Sequence, residues 1–525
     1  MKLYRAFATV GGMTMISRVL GFVRDILIAA VLGTGQVADA FVVAFRFPNL
    51  FRRIFAEGAF NSAFVPLFSK RLEGDGLTKA KLFAEDALAL LLTALLITLT
   101  FAELFMPILM YVIAPGFSDT PEKFDYTVLL TRIAFPYLVF VSLVALLSGI
   151  LNALGRFVIA AFAPVLLNVV LITAMSLVIT LGIEDNQTAG FFLVWGVFCA
   201  GALQLIMLVF ATSRNGLSLR LKWPVWNADM KHLVTLGVPG ILAGGVTQIN
   251  ILVGTIIASQ VDRAVSYLYY ADRIYQLPLG IVGIAIGVVL LPDLSKRLRS
   301  GDTDSVHNSQ NRSLEFSLLL TLPAAVALFT VPEPIIRVLF ERGAFDASDS
   351  GATALALAAF AWGLPAFVLI KVFSPAFFAR EDTKTPMRYA AISMVVNVAL
   401  SFALFPYLGH VGIAVATTLA GWVNAGLLWA TLSWSGHFVT DDKLKRSLRP
   451  ILISSLMMGG VLMLGFHLTG QFFAPEAGLI IQIIALSVLV ISGFTVYITS
   501  AHYTGALHVP TFMKILIGRK SPLSS

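Results

Sequence analysis

Ser17-Arg18-Val19-Leu20-Gly21-Phe22-Val23-Arg24-Asp25, followed by Asp39-Ala40-Phe41-Val42-Val43-Ala44-Phe45-Arg46-Phe47-Pro48-Asn49-Leu50-Phe51-Arg52-Arg53, sets five arginines in two stretches otherwise apolar enough to span a bilayer. An arginine at the bilayer centre costs roughly 2.5–3.5 kcal/mol on insertion scales, so five facing lipid would cost about 12–18 kcal/mol. A whole domain is stable by only ~5–15 kcal/mol. These side chains are therefore expected to face a wet cavity. A cationic cavity inside a membrane protein is suited to hold an anion.

The rest of the chain agrees with that class. Of its 525 residues 58% are hydrophobic and 13% charged, where soluble domains are about one quarter charged. Apolar runs of spanning length recur and predict about fourteen transmembrane helices. They cover 10–32, 37–66, 82–113, 125–152, 158–182, 189–212, 233–259, 266–293, 313–340, 351–379, 387–407, 411–433, 450–469 and 477–500. The expected fold is an all-α integral membrane protein. Residues 1–33 do not read as a cleaved signal peptide, because Arg18, Arg24 and Asp25 interrupt the region that has to be apolar. The single cysteine, Cys199, lies in an apolar run and is expected to pack between helices; it excludes a disulfide framework.

Charge sorts the loops. One set carries Lys70, Arg71, Lys79 and Lys81; Arg214, Arg220, Lys222 and Lys231; Lys296, Arg297 and Arg299. The same set continues with Arg380, Lys384 and Arg388, then Lys443, Lys445, Arg446 and Arg449, then Lys514, Arg519 and Lys520. The opposite loops hold Asp119, Glu122, Glu184, Asp185, Asp346, Asp349 and Glu476. The positive-inside rule then puts both termini in the cytoplasm, which requires an even number of spans. The net charge of +8 is dispersed among these loops, which is topology rather than a nucleic-acid surface.

The chain also repeats itself. Phe-Val-Pro-Leu-Phe-Ser-Lys-Arg-Leu at 64–72 returns as Leu-Leu-Pro-Asp-Leu-Ser-Lys-Arg-Leu at 290–298, an offset of 226. Pro136 with Pro365 and Asn168 with Asn397 repeat at 229. Two parallel six-span repeats are expected, residues 1–220 as an N-lobe and 221–440 as a C-lobe around a central cavity, an arrangement suited to alternating access. Residues 441–525 add two spans beyond the repeat.

Within the charged stretches, Gly21 is expected to weaken the first helix between Arg18 and Arg24. Arg24 and Asp25 are expected to face different directions, leaving Asp25 to orient a cation elsewhere, with Lys371 the candidate. In the second span Asp39, Arg46, Asn49, Arg53 and Glu57 fall near one face, Arg52 lies off it, and Pro48 is expected to kink the helix. Asp272 and Arg273 occupy the related position of the second half. The guanidinium fork binds phosphate bidentately and stays charged at any accessible pH, so a pyrophosphate could engage three or more of these arginines. The structural alternative is internal pairing of Arg18, Arg24, Arg46, Arg52, Arg53 and Arg273 with Asp25, Asp39, Glu57 and Asp272, which leaves two cations over. Gly280, Gly283 and Gly287 read as a helix-packing stripe. The chain has no P-loop motif, and its histidines lack metal-ligand spacing.

The 17–25 stretch, the block Asp39 to Phe60 ending Arg-Arg-Ile-Phe-Ala-Glu-Gly-Ala-Phe, and Tyr-Tyr-Ala-Asp-Arg at 269–273 closely resemble the MurJ (MviN) family, the bacterial lipid II flippases of the MOP exporter superfamily. Ala-Pro-Gly-Phe at 114–117 and Ala-Phe-Ala-Pro at 161–164 extend the resemblance along the chain. It implies a non-enzymatic, monomeric inner-membrane transporter without cofactor or metal. The implied cargo is lipid II, an undecaprenyl pyrophosphate carrying a disaccharide pentapeptide, moved from the cytoplasmic to the outer leaflet by alternating access. It implies Arg18, Arg24, Arg52 and Arg273 as cavity cations, with Arg46 as a further positive charge and Arg53 beside them. Asp25 and Asp39 are the implied acidic neighbours, and Ser17, Asn49 and Ser266 the polar ones. The two extra spans would form a groove for the polyprenyl tail; membrane lipids and cell-wall synthesis or division proteins are the implied partners.

One departure concerns energy. Some relatives are proposed to bind sodium through carboxylates in the seventh and eleventh spans, where this chain offers Gln248, Asn250, Asn397 and Ser401. The membrane potential is the alternative drive, at ~2.3 kcal/mol per charge per 100 mV. Competing readings are an oligosaccharide-lipid flippase or another exporter of the superfamily, and a non-transporting scaffold in which the arginines are structural. A drug or cation exporter calls for an acidic cavity instead.

Overall fold

The computed structural model describes residues 2–53 and 61–506. The chain divides into two compact units, one of residues 1–266 with Arg342–Asp346, the other of 267–341 and 347–525. Among the described residues ten helical segments are long and apolar enough to cross a membrane. They answer to ten of the expected spans; the other four fall on α1, on α2 with α3, on α10 and on α11, whose bounds follow.

The first unit contains α1 (Lys2–Leu32), α2 (Gln36–Arg52), α3 (Asn61–Gly74), α4 (Gly76–Leu104), α5 (Met106–Ile113), α6 (Pro121–Ala134), α7 (Tyr137–Ala153), α8 (Phe157–Thr180), α9 (Asn186–Arg214) and α10 (Ala228–Ala258). Its core is one cluster in which Ile28 and Leu32 of α1, Phe41 of α2, Leu130 of α6 and Leu171 and Met175 of α8 are buried together. Asp185 caps α9, accepting hydrogen bonds from the backbone N–H groups of Gln187 and Thr188. The Thr188 hydroxyl and amide hold the Asp185 carboxyl below its ordinary pKa.

The expected span 82–113 is two helices. α4 stops at Leu104, and Pro107 sits in the first turn of α5; a proline has no N–H to give the carbonyl four residues back and its ring crowds that carbonyl, which favours a new helix start. The span 313–340 divides in the same way in the second unit. Val331, at φ −131° and ψ 49°, separates α12 (Thr303–Thr330) from α13 (Pro332–Phe340).

The second unit continues from α11 (Ala264–Arg299) through these two helices to α14 (Ala347–Ala361), α15 (Leu364–Phe378), α16 (Lys384–Leu408), α17 (His410–Trp434), α18 (Asp442–Thr469) and α19 (Leu479–Tyr503). Val282, Ile286 and Leu290 of α11 are buried with Val372 of α15 and Leu428 of α17. The last two helices share a separate cluster with Leu319 of α12, where Tyr497 donates a hydrogen bond of 2.6 Å to the Leu319 carbonyl. Lys371 reaches across Gly283, where an added Cβ would lie 2.6 Å from Nζ. Two sequence expectations are corrected. Cys199 is exposed on α9 rather than packed, and Gly21 does not interrupt α1, which runs unbroken from Lys2 to Leu32.

Close approach explains one glycine of the 114–117 motif. Gly116 N–H donates to Ser259 Oγ at 3.2 Å, and a Cβ there would stand 2.6 Å from Gln260 Cα. Backbone cannot swing aside as a side chain can. Gly116→Ala is expected to destabilise the protein by about 1–3 kcal/mol, the usual cost of overpacking. Thermal unfolding in detergent measures it, and an unchanged midpoint would contradict the close packing.

Candidate functional site

Helix α1 carries Ser17, Gly21 and Arg24 at intervals of four and three, which places them along one stripe. That stripe meets α8. The Asn168 amide sits over Gly21, 3.6 Å from where a Cβ would be. Its Nδ2 donates to the Ser17 carbonyl at 2.8 Å and to Ser17 Oγ at 3.3 Å, while its Oδ1 accepts from Arg24 Nη1 at 2.9 Å. One asparagine thus links two of the expected site residues. Gly21 provides the room for it.

Arg24 and Asp25 do not face apart, as their adjacency suggested. Arg24 folds back along the helix, so that Nε and Nη2 reach Asp25 Oδ1 at 3.0 and 2.7 Å. A long flexible side chain defeats the wheel argument, which fixes Cβ directions only. Both residues are buried, at 7% and 2% exposure. The guanidinium also lies 6.0 Å from the Phe45 ring centroid. Arg18 contrasts with this. It is half-buried on the same helix and makes no hydrogen bond or ion pair with the described residues.

On α2 the expected residues separate along the axis. Asp39 and Arg52 stand ~20 Å apart at 1.5 Å per residue. The helix runs through Pro48, and Asn49 serves its own element, donating to the Phe45 carbonyl at 2.7 Å and accepting from Arg52 Nε at 3.1 Å. Arg46 reaches Thr255 of α10 at 3.4 Å. Arg53, the last described residue before the break, is exposed. Glu57 lies outside the described residues.

Asp39 is fully buried, and Ser266 beside it is buried as well. Its carboxylate accepts four hydrogen bonds: from Lys123 Nζ at 2.9 Å, from the Arg263 and Ser266 amides at 3.0 Å each, and from Ser266 Oγ at 2.6 Å. Lys123 also pairs with Asp262 at 3.2 Å and lies 4.1 Å from the Phe117 ring centroid. Asp39 and Ser266 come together, but as a closed polar knot remote from Arg52. Sequence reasoning missed Lys123; its signal was a lone lysine in a stretch otherwise acidic at Asp119, Glu122 and Asp125.

In the second unit Arg273 stacks 4.6 Å from the Tyr269 ring centroid, and Asp272 accepts a hydrogen bond from Gln276. Asn397 is buried, with Oδ1 accepting from Ser401 at 3.3 Å and Thr417 at 3.4 Å. The arrangement offers charge and hydrogen bonding without a nucleophile set against a base.

Comparison with known proteins identifies the family. The family model described as "Lipid II flippase MurJ" matches residues 28–483. The chain is 48% identical over 523 residues to a probable lipid II flippase MurJ of Rhizobium tropici, covering 99% of this chain and 98% of the relative. A solved structure, "Lipid II flippase MurJ, inward closed conformation", superposes with a TM-score of 0.76 at 27% identity, over 97% of this chain and 99% of that one. An inward-facing multidrug MATE transporter of the MOP superfamily shares the fold, with a TM-score of 0.64 at 16% identity over 82% of this chain and 98% of that one.

Proposed function

The chain belongs to the lipid II flippase MurJ family, and on that premise we propose that it carries lipid II from the cytoplasmic to the outer leaflet of the inner membrane, its pyrophosphate held by the cations of α1 and α2. It is a multi-pass inner-membrane transporter, and its work is recognition and movement rather than bond chemistry. The observation that carries the site is the pair of states on α1: Arg24 engaged and buried, Arg18 half-buried without a partner among the described residues.

Arg18 makes the first contact with the anionic head. Its charge is already partly desolvated, and no acid among the described residues competes for it. Arg24 is held aimed by Asn168 and Asp25, and a diphosphate displaces neutral Asn168 more readily than charged Asp25. Arg52, braced by Asn49, and the exposed Arg53 extend the positive field. Asp39 and Ser266, closed on each other and on Lys123, serve the structure rather than the substrate. Arg46 and Arg273 supply further charge.

The finer layout belongs to the same proposal. Fourteen spans with both termini cytoplasmic follow from the charge sorting of the loops. Residues 1–220 and 221–440 form the two repeats; in support, Phe64 and Phe68 of one motif copy and Leu290 and Leu294 of the other are all buried. Residues 441–525 serve the lipid tail, and the protein acts as a monomer beside the cell-wall machinery.

The test is the leaflet accessibility of lipid II in cells depleted of this protein, read by a periplasmic enzyme that cleaves only outward-facing lipid II. Cleavage is expected to fall while total lipid II rises. Unchanged cleavage, with no second flippase present, removes lipid II as the cargo. A charged hydrogen bond contributes about 1.5–3 kcal/mol, so Arg18→Ala is expected to weaken lipid II binding roughly tenfold or more. Its thermal midpoint should match the parent, since Arg18 holds no other group among the described residues; binding in detergent micelles reads the first and unfolding the second.

A further inference from the structure

Between α9 and α10 the chain crosses thirteen residues, 215–227, without helix or strand. These residues alternate: Leu217, Leu219, Leu221, Trp223 and Val225 on odd positions, Ser218, Arg220 and Lys222 on even ones. The alternation holds from Leu217 to Trp223; Pro224 and Trp226 depart from it, so the segment is a ribbon that carries apolar groups beside polar ones.

The ribbon is fastened through its polar groups. Glu85 of α4 accepts from the Arg220 amide at 3.1 Å and from Lys222 Nζ at 2.8 Å, and Asp86 accepts from Asn227 Nδ2 at 3.2 Å. The hydrogen bond with Glu85 holds the Lys222 ammonium above the usual lysine pKa. Leu217 is buried at one end, and Asn227 caps α10 at the other. Its apolar groups from Leu221 onward are bare. Leu221 is 71% exposed, Trp223 90% and Val225 50%, and Trp226, which breaks the alternation, is 63% exposed. A ribbon pinned at its ends and middle cannot fold these groups inward.

We propose that residues 217–226 form a strap lying in the interface of the leaflet at which α9 ends and α10 begins, with Trp223 and Trp226 inserted among acyl carbonyls and Arg220 and Lys231 set against anionic phospholipid head groups. The occupant follows from position and charge. Both flanking helices are apolar, so the ribbon between them sits at the membrane boundary, where tryptophan is enriched. Arg220 and Lys231 are exposed, with no side-chain acid partner among the described residues. Basic residues beside a bilayer draw anionic lipid. Nothing in this strap belongs to the head-group site, and the inference goes beyond the flippase reading.

The experiment uses the full-length chain in nanodiscs of phosphatidylcholine alone or mixed with phosphatidylglycerol, in each case with lipid brominated near the carbonyl end of the acyl chain. Subtracting the emission of the Trp223→Phe/Trp226→Phe variant from the parent isolates these two of the seven tryptophans. Their emission is expected to be blue-shifted and quenched by the brominated lipid, more strongly with phosphatidylglycerol present. Each loss of a basic side chain is worth about fivefold in association with an anionic surface, so Arg220→Gln/Lys231→Gln should erase the difference between lipids. Emission typical of indole in water, quenched by iodide and not by bromine, overturns the strap. Equal quenching in both lipids overturns the anionic preference.

Discussion

Arg24→Ala is expected to abolish growth support in a strain depleted of the parental protein, the largest functional effect of any single change in the chain. Arg24 spends its three nitrogens on Asp25 and Asn168, so its removal takes away the best-positioned guanidinium and leaves a buried carboxylate. The second consequence confuses the first, since breaking a buried ion pair costs about 3–5 kcal/mol. Two companions separate them. Arg24→Ala/Asp25→Asn removes the buried carboxylate together with the guanidinium and should restore the amount of protein in the membrane but not growth. Arg24→Lys keeps the charge but loses the bidentate fork; it should leave protein levels near normal with transport reduced at least tenfold. Arg273→Ala should also fail to support growth. Normal growth with Arg24→Ala at parental protein levels would remove this arginine from the mechanism.

The largest effect on stability is expected from Lys123→Ala. Asp39 and Lys123 are buried together, at 0% and 4% exposure. Removing the ammonium leaves a carboxylate with only neutral donors, the amides of Arg263 and Ser266 and the Ser266 hydroxyl. The expected loss is about 3–5 kcal/mol, seen as an early unfolding transition in detergent and a lower yield from membranes. Asp39→Asn in the same chain should recover part of it, because it removes the uncompensated charge while its Oδ1 keeps the Ser266 donors, although its NH2 then faces the Arg263 N–H. A double variant no more stable than Lys123→Ala would show that the pair is not the source of the loss.

Class and family were legible because hydropathy and charge act over long windows. No rearrangement of side chains changes the number of apolar runs or the cost of five arginines in lipid. The pairing of Arg24 with Asp25 was not legible, since a helical wheel fixes Cβ directions while an arginine reaches several ångströms beyond its own. Asp39 read as a cavity acid because its face carries Arg46 and Arg53. Its true partner stands 84 residues away on α6, and periodicity within one helix cannot report a contact between two. The prolines beside the breaks at Phe105 and Val331, Pro107 and Pro332, were present in the sequence, but the apolar runs continue through them and hid the change of helix. Asn168 was visible only as a repeat marker. Its work on Ser17 and Arg24 required the packing of α1 on α8.

The Asp39 knot also fixes an order of events during synthesis. Asp39 leaves the ribosome 84 residues before Lys123 and more than 220 before the Arg263 and Ser266 amides. At 5–20 residues per second, α2 waits roughly 4–17 s for its counter-charge. Until α6 arrives, the carboxylate is either protonated or kept at the membrane edge, so α2 is a late-settling helix although it is made second. The first unit therefore closes around α2 from behind, and the 263–266 segment, made more than 220 residues after Asp39, completes its set of hydrogen bonds.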